Sequence, residues 1–355
     1  MRIAVIGVGL IGGSIGLAAR QRLGATVAGY GRRAATLDTA LRLGAIDRAA
    51  ASVADAVADA EAVFVATPVH ALPQAIAEAL AAAPDDCVIT DVGSTKRVVV
   101  RAAGSDQRFV GGHPLAGAET AGVEHARADL FDRATWYLTP TNGTSGLLYE
   151  RLHRLLRGLG AVTSAIEPDV HDAILASVSH LPHVLANVLV MQAAHAVAGE
   201  RLPATGPSFR DATRVAGAPS EIWTDIYMSN ADALGVELER AIARLQDVRA
   251  ALSAGDAEAI TAWNEAAAGD RRRLHSAGLA DGPLHELRAS VPNRPGVVAQ
   301  LALELGRAGV NIADMALYPA ADMTEGVIAL WIAGADAAAR AERLIGELGF
   351  PVAPA

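Results

Sequence analysis

Cysteine is almost missing from this 355-residue chain, which has only Cys87. No intramolecular disulfide can form, and nothing in the cysteine usage points to secretion. Positive charge is scarce too: 30 Lys and Arg face 39 Asp and Glu, a net charge of −9. This balance argues against nucleic acid as the main partner. Any site for an anion must be made locally, from single Arg or His side chains or from helix ends. Charged residues are only 19% of the chain against 52% hydrophobic, which excludes long disorder and supplies an ample core. Lysine is nearly absent: Lys96 is the single one, and the other 29 basic residues are arginines. One lysine retained in so biased a composition invites a specific role; chance survival on a helix surface is the competing reading. Charge is also missing from Ile3 to Ala19, after Arg2, which loosely mimics a signal peptide. A membrane span needs ~20 apolar residues. This run carries Gly7, Gly9, Gly12, Gly13 and Gly16, which suit a turn. It reads as part of the fold, and the chain as cytoplasmic with no membrane partner.

The length predicts two or three domains. Residues 1–165 alternate short β-rich runs with helical stretches. Candidate strands are Arg2–Ile6, Thr26–Tyr30, Ala62–Ala66, Cys87–Asp91, Arg108–Gly111 and Thr135–Leu138. The early ones are continuous apolar runs, as in parallel strands buried on both faces. The pattern predicts a doubly wound α/β domain of Rossmann type. Residues 166–278 change texture to all-α: Pro168–Ala198 with a kink at Pro182, then Pro219–Ala254 and Ala257–His275. A helix apolar on most sides must be covered by other helices, here in part by a second subunit. Gly278–Pro283 reads as a linker. Residues 284–355 then follow a βαββαβ order, the ferredoxin-like α+β plan, ending in a strand at Phe350.

The opening places glycines at the GxGxxG spacing directly after a strand and before a helix: Gly7, Val8, Gly9, Leu10, Ile11, Gly12. Gly7 allows the tight turn, Gly9 lets backbone approach a pyrophosphate, and Gly12 allows helix to pack on strand. The first N–H groups of the helix then face the anion. This reads as a site for NAD or NADP. The acid expected about 20 positions on, for the ribose hydroxyl, is missing; Gly31, Arg32 and Arg33 stand there. A carboxylate would repel a 2′-phosphate and two arginines would accept one, so NADP is expected to serve at least as well as NAD. Arg32 and Arg33 as a solvated helix start is the other reading.

Asp91-Val92-Gly93-Ser94-Thr95-Lys96 follows a strand on the edge where such sheets bind ligands. Gly111-Gly112-His113-Pro114 puts a histidine at a rigid strand end. Histidine is the usual general base near neutral pH, and Ser94 could hydrogen-bond it and set its tautomer. A capped structural histidine is the alternative for His113; the neighbouring dinucleotide loop and Ser94 favour catalysis. His180 and His183 lie on one helix face with Pro182 between them. They lack the nearby Cys or acidic residues that would complete a metal site, so ligand contact is preferred and no metal is expected. Packing is the alternative, more so for His180 than for His183. Further on, Arg210 can pair with Asp211 or Asp225, whereas Arg214 looks freer to grip a carboxylate.

Taken in order, the Gly7–Gly12 loop, Ala66-Thr67-Pro68-Val69, Asp91–Lys96, Gly112–Gly117, Ser179-His180-Leu181-Pro182-His183 and Phe209-Arg210-Asp211-Ala212-Thr213-Arg214 with Trp223 resemble the prephenate/arogenate dehydrogenases. The resemblance runs over roughly residues 1–280. It implies oxidative decarboxylation of a cyclohexadienyl substrate to a phenol, with hydride passing to NAD(P). It implies His113 as the catalytic histidine and Ser94 as its support, with Thr67 and Pro68 beside the cofactor. Arg214 falls at the arginine that holds a substrate carboxylate. His183, Trp223 and Glu119 match substrate-pocket or gating positions, and Asp172 a gating partner. The helical region then corresponds to a dimerisation domain, predicting a homodimer. The tail from Leu284 resembles an ACT domain through Asn293-Arg294-Pro295-Gly296 and Gly309-Val310-Asn311-Ile312, implying an amino-acid effector. Prephenate and arogenate stay open as substrates. A β-hydroxyacid dehydrogenase would want its lysine on the long helix, not at 96. A cofactor and amino-acid sensor without catalysis would not need the Ser94, His113 and Arg214 set.

Overall fold

The computed structural model describes residues 1–117, 120–196, 205–276, 282–320 and 324–354. The chain divides into two compact units, Met1–His171 with Asp281–Ala355, and Asp172–Ala280. The first unit opens with β1 (Arg2–Ile6), α1 (Leu10–Leu23), β2 (Thr26–Tyr30), α2 (Ala34–Leu43), β3 (Arg48–Ala49), α3 (Val53–Val57) and β4 (Ala62–Val65). It continues with α4 (Leu72–Ala82), β5 (Val88–Asp91), α5 (Arg97–Ala103), β6 (Phe109–Pro114), β7 (Thr135–Thr139), α6 (Gly146–Gly158) and β8 (Val162–Ala165). Among the described residues these strands form one eight-stranded sheet in the order β3-β2-β1-β4-β5-β6-β7-β8. The strands from β1 to β6 pair in parallel; β7 runs antiparallel to β6, and β8 parallel to β7.

The order 3-2-1-4-5-6 is that of a dinucleotide-binding sheet, with its switch point between β1 and β4. The sequence explains the burial: β4 is apolar throughout and β5 opens on Val88 and Ile89, and both are buried at every position, as strands sandwiched between helix layers must be. Strands β3 and β8, which have no apolar run long enough to show in the sequence, lie at the two ends of the sheet.

The helical elements are α7 (Pro168–Leu175), a π-helical turn at Ala176–His180, α8 (Leu181–Ala196), α9 (Pro207–Thr213), α10 (Ser220–Ser229), α11 (Ala231–Ala254) and α12 (Ala257–Ser276). The expected irregularity at Pro182 falls one turn earlier, in the π turn, because the ring denies a bond to the turn preceding it. The expected helix Pro219–Ala254 is divided at Asn230, whose φ and ψ of −126° and 28° leave the helical region. Val188, Met191, Met228, Leu245 and Leu252 are exposed on this unit. The run Pro168–Ala196 is long and apolar enough to cross a membrane by length and composition alone.

The tail comprises β9 (Leu284–Pro292), α13 (Val297–Arg307), β10 (Ile312–Pro319), β11 (Glu325–Ala333), α14 (Ala335–Glu347) and β12 (Val352–Pro354). Its four described strands are antiparallel in the order β10-β11-β9-β12. It shares one apolar core with the N-terminal sheet. A Cβ on Gly306 would lie 2.1 Å from the Ala165 carbonyl oxygen, so only glycine lets α13 sit against β8. Gly296 N donates to Thr144 O at 3.0 Å, and Arg157 pairs with Asp314 of β10 at 2.5 Å. Most of the expected linker at Gly278–Pro283 lies outside the described residues.

Candidate active site

The glycine loop works as the spacing requires. Gly7 has φ +96°, and a Cβ there would lie 2.5 Å from Ala66 O at the end of β4. A Cβ on Gly12 would strike Gly7 O at 2.1 Å and Val5 at 2.9 Å, so this glycine sets the approach of α1 to β1. Gly9 is different: a Cβ there would meet nothing within 4 Å, so its backbone faces open space. It heads α1 with no side-chain cap and no acid in the first turn. The positive end of the helix dipole is therefore left for an anion. Val8 is buried, Leu10 and Ile11 are half-buried, and Thr67 Oγ1 is a buried hydroxyl oxygen with no hydrogen-bond partner. Open backbone, an uncapped helix start and an unsatisfied hydroxyl together fit the phosphates and ribose of a dinucleotide. Arg32 and Arg33 are exposed just past the end of β2, and Pro68 is exposed after β4.

The next strand ends are locked by a buried ion pair. Lys96 does not lie on a helix surface: its ammonium and the Asp91 carboxylate are both fully buried and paired. Lys96 Nζ also donates to Gly112 O at 2.6 Å, while Gly112 N donates to Asp91 Oδ1 at 3.0 Å and Gly93 N to Asp91 Oδ2 at 2.8 Å. One carboxylate thus ties the end of β5, the turn holding Ser94 and the β6 backbone directly before His113. A Cβ on Gly112 would lie 2.6 Å from Asp91 O and from Thr90 Oγ1. A Cβ on Gly111 would lie 2.3 Å from Thr139 Oγ1, so both positions before the histidine need glycine.

His113 stands on β6 opposite Tyr137 of β7, and only 8% of it is exposed. Its Nδ1 lies 2.9 Å from Nε2 of His171, with the rings edge-on at 5.1 Å and 70°. His171 is fully buried on α7 and meets the Tyr137 ring at 5.6 Å and 87°. Burial raises the Tyr137 phenol above its ordinary range, so it stays neutral. Ser94 is half-buried in the β5–α5 turn. His171 was not singled out by the sequence. The one cue was His-Asp at the start of a helix, which alone says little.

In the helical unit, His183 stacks flat on Trp223, with ring centroids 3.6 Å apart and planes within 4°. Its Nδ1 is engaged by the Tyr227 hydroxyl and by Asn187 Nδ2 at 3.3 Å. Its Nε2 is buried. Burial lowers the His183 pKa, with the Val215 backbone partly opposing this. Burial thus disfavours the charged ring, which the Tyr227 hydroxyl, Asn187 and the Val215 backbone surround. His180 is buried too, but its Nδ1 accepts from Asn230 Nδ2 at 3.2 Å, and the same amide donates to Asp172 O at 2.8 Å. Its ring also stands edge-on to Trp223, with centroids 6.3 Å apart. Arg214 is exposed in a short 3₁₀ turn after α9. The structure thus brings His180, His183 and Trp223 together and adds Tyr227, Asn187 and Asn230. Tyr227 follows Trp223, and Asn187 follows His183, by one helical turn. That spacing could have found both. Glu119 lies outside the described residues. Among the described residues, no cluster of His, Cys, Asp and Glu could hold a metal ion.

Residues 15–165 match the family model of the prephenate dehydrogenase nucleotide-binding domain, and residues 167–265 that of the prephenate dehydrogenase dimerization domain. A prephenate dehydrogenase of Bacillus subtilis is 32% identical over 354 residues, covering 97% of this chain and 95% of the relative. A prephenate dehydrogenase of Aquifex aeolicus, solved with hydroxyphenyl propionate and NAD+, is similar with a TM-score of 0.69 and 26% identity, over 77% of this chain and 98% of that one. An arogenate dehydrogenase of Synechocystis is similar with a TM-score of 0.66 and 27% identity, over 77% of this chain and 100% of that one. With both family models and a near full-length relative in agreement, the chain belongs to the prephenate dehydrogenase family.

Proposed function

We propose that this protein is a prephenate dehydrogenase that converts prephenate to 4-hydroxyphenylpyruvate, in tyrosine biosynthesis. The observation that carries the reading is the buried His113 at the rigid end of β6, in the same sheet as an open-backed glycine loop on β1. NAD or NADP, when bound, supplies the hydride acceptor. Gly7, Gly9, Gly12 and the start of α1 hold its phosphates, with Val8, Leu10, Ile11, Thr67 and Pro68 around them. Gly31, Arg32 and Arg33 admit a 2′-phosphate, so NADP is used at least as well as NAD.

His113 takes the proton of the substrate's ring hydroxyl while the carbon beneath it gives up its hydride. The forming carbonyl draws electrons through the ring as carbon dioxide leaves. Aromatisation drives the reaction, so the protein mainly has to orient the substrate and deprotonate it. Ser94 supports the histidine. Arg214 holds a substrate carboxylate, His183 with Trp223 contacts the ring substituents, His180 packs behind them, and Glu119 with Asp172 gates access. Arogenate, the amino analogue, is the second reading, favoured by the similarity to the Synechocystis arogenate dehydrogenase.

In domain terms, residues 1–165 bind the dinucleotide and 166–278 form the substrate and dimerisation domain of a cytoplasmic homodimer. Residues 284–355 form a ferredoxin-like regulatory domain of ACT type. The dimer reading is supported by the dimerization-domain match and by the exposed apolar side chains of α8, α10 and α11. The regulatory reading is supported by the βαββαβ order and by a cavity of about 160 Å³. Gln107, Ser145, Asn293, Arg294 and Leu317 are among its lining, which offers polar groups to an amino acid.

The test is absorbance at 340 nm with prephenate and arogenate, each with NAD and NADP. Turnover with prephenate is expected, with NADP at least equal to NAD. Folded protein inactive in all four assays would reject the enzyme reading, and faster turnover of arogenate would select the second. Raising the melting temperature with tyrosine, phenylalanine or tryptophan would identify the effector.

A further inference from the structure

The base that the proposed reaction needs does not stand alone. His113 Nδ1 and His171 Nε2 are 2.9 Å apart, and a hydrogen bond between two imidazoles holds one proton between the two nitrogens. That proton can belong to either ring, with opposite chemical results. If His171 donates from Nε2, neutral His113 must carry its own proton on Nε2. Its outward nitrogen is then a donor and can accept nothing. If His113 donates from Nδ1, its Nε2 keeps the lone pair and can take a hydroxyl proton. Base catalysis therefore requires that His171 be the acceptor, protonated on Nδ1.

We infer that His171 is the positioning residue of this site: it holds His113 in the Nδ1–H tautomer and stabilises the imidazolium that forms when His113 takes the substrate proton. The inference rests on the prephenate dehydrogenase reading. In the step, the substrate O–H bond breaks and its proton binds His113 Nε2. The C–H electron pair leaves as hydride to the nicotinamide of the established cofactor, and the Nδ1 proton remains shared with His171. The bond then becomes charge-assisted, and such bonds are roughly twice as strong as neutral ones. It strengthens as the reaction proceeds, which is what a contribution to rate requires.

The surroundings favour this assignment. His171 is fully buried and its ring is held edge-on by Tyr137 of β7, so it has little freedom to turn. The Tyr137 phenol is neutral. Beneath β6, the Lys96 and Asp91 charges neutralise each other as a buried pair. On α7 itself, Asp169 faces Arg97 of α5 at 3.9 Å. Asp172, the next residue on α7, is fully buried as well, and the group at His113 Nδ1 is an imidazole where hydrolase triads use a carboxylate.

Two substitutions in the full-length protein separate positioning from mere packing. His171→Leu removes the acceptor. It should lower kcat about ten- to a hundred-fold with KM for prephenate nearly unchanged, and move the acidic limb of the kcat/KM profile to lower pH, because the His113 imidazolium loses its partner. His171→Gln offers a side-chain oxygen as acceptor and should restore much of kcat and return the limb. Equal loss in both variants with an unmoved pH profile would mean that His171 only packs, and would overturn the inference; so would a His171→Leu enzyme with wild-type kcat. A readout independent of turnover is ¹⁵N NMR of the histidine-labelled wild-type protein. His113 should be protonated on Nδ1 and His171 unprotonated on Nε2, and the reverse pattern overturns the inference even if prephenate is not turned over. Wild-type inactivity with the expected tautomers would instead count against the substrate reading alone.

Discussion

At the scale of single residues, the chemistry concentrates on His113. Its Nε2 is the base, so His113→Asn should lower kcat by about 10²–10⁴-fold with little change in KM, read from steady-state kinetics with prephenate. Near-normal turnover would remove His113 from the mechanism. Arg214 is asked for something different. A carboxylate pairing is present in ground and transition states alike, so Arg214→Ala should mainly raise KM; an unchanged KM would take Arg214 out of substrate binding. Lys96 is a matter of stability. Lys96→Met strands the Asp91 carboxylate in a dry interior, and breaking such a pair costs about 3–5 kcal/mol. Urea unfolding of the variant should show a loss of that order, and a loss below about 1 kcal/mol would mean that water reaches Asp91. The lysine's singularity was legible in the sequence, but its role was not. Only packing reveals that its ammonium is fully enclosed between two strand ends.

Elements decide where these residues stand. The β2–α2 turn is where the cofactor's ribose is read, and Gly31 occupies the position of the usual acid. A Cβ there would meet only Leu37, at 3.6 Å, which is ordinary contact. Gly31→Asp should therefore fold normally and act through charge alone. It should lower kcat/KM for NADP by at least tenfold, about 1.4 kcal/mol, while that for NAD holds or rises. Equal effects on both cofactors would mean that this turn does not face the ribose. The glycine loop on β1 and the strands β4 and β5 were readable because spacing and apolar continuity are local properties. The π turn before Pro182 and the break at Asn230 were not. The first is the helix's way of absorbing a missing N–H. The second places the Asn230 amide where it bonds Asp172 and His180, 58 and 50 residues away in sequence.

On the scale of the whole molecule, the tail and the dinucleotide-binding sheet form one compact unit. His153 of α6 lies in their shared region: its Nδ1 meets Thr163 Oγ1 at 2.7 Å, and its Nε2 is 3.9 Å from Asp314 of β10. Burial, helped by Arg157 and opposed by Asp314, pushes its pKa down to about 4. Above pH 6.5 the ring is neutral in both folded and unfolded chains and costs nothing. As the pH falls from 6.5 towards 4, the unfolded chain takes a proton that the fold refuses, so stability is lost over that window, by about 3 kcal/mol in total. Unfolding free energies measured across it should fall faster for the wild type than for His153→Leu. Parallel curves would show that His153 is hydrated in the fold. The exposed apolar surface of α8, α10 and α11 is a property of the same scale. It matches a chain whose second family model is a dimerization domain.

What the sequence determined by itself was whatever depends on neighbours along the chain. The nucleotide loop, the alternation of strand and helix, the βαββαβ order of the tail, and the histidine fenced by Gly112 and Pro114 all follow from local spacing and composition. What only the tertiary structure decided was pairing across distance: Asp91 Oδ1 accepting from Gly112, His183 stacked on Trp223, and His171 brought to His113. The last two residues are 58 apart in the chain. No period or motif encodes that separation. It is set by the rise of the strands and the turn into α7, which together bring two ring nitrogens within hydrogen-bonding distance.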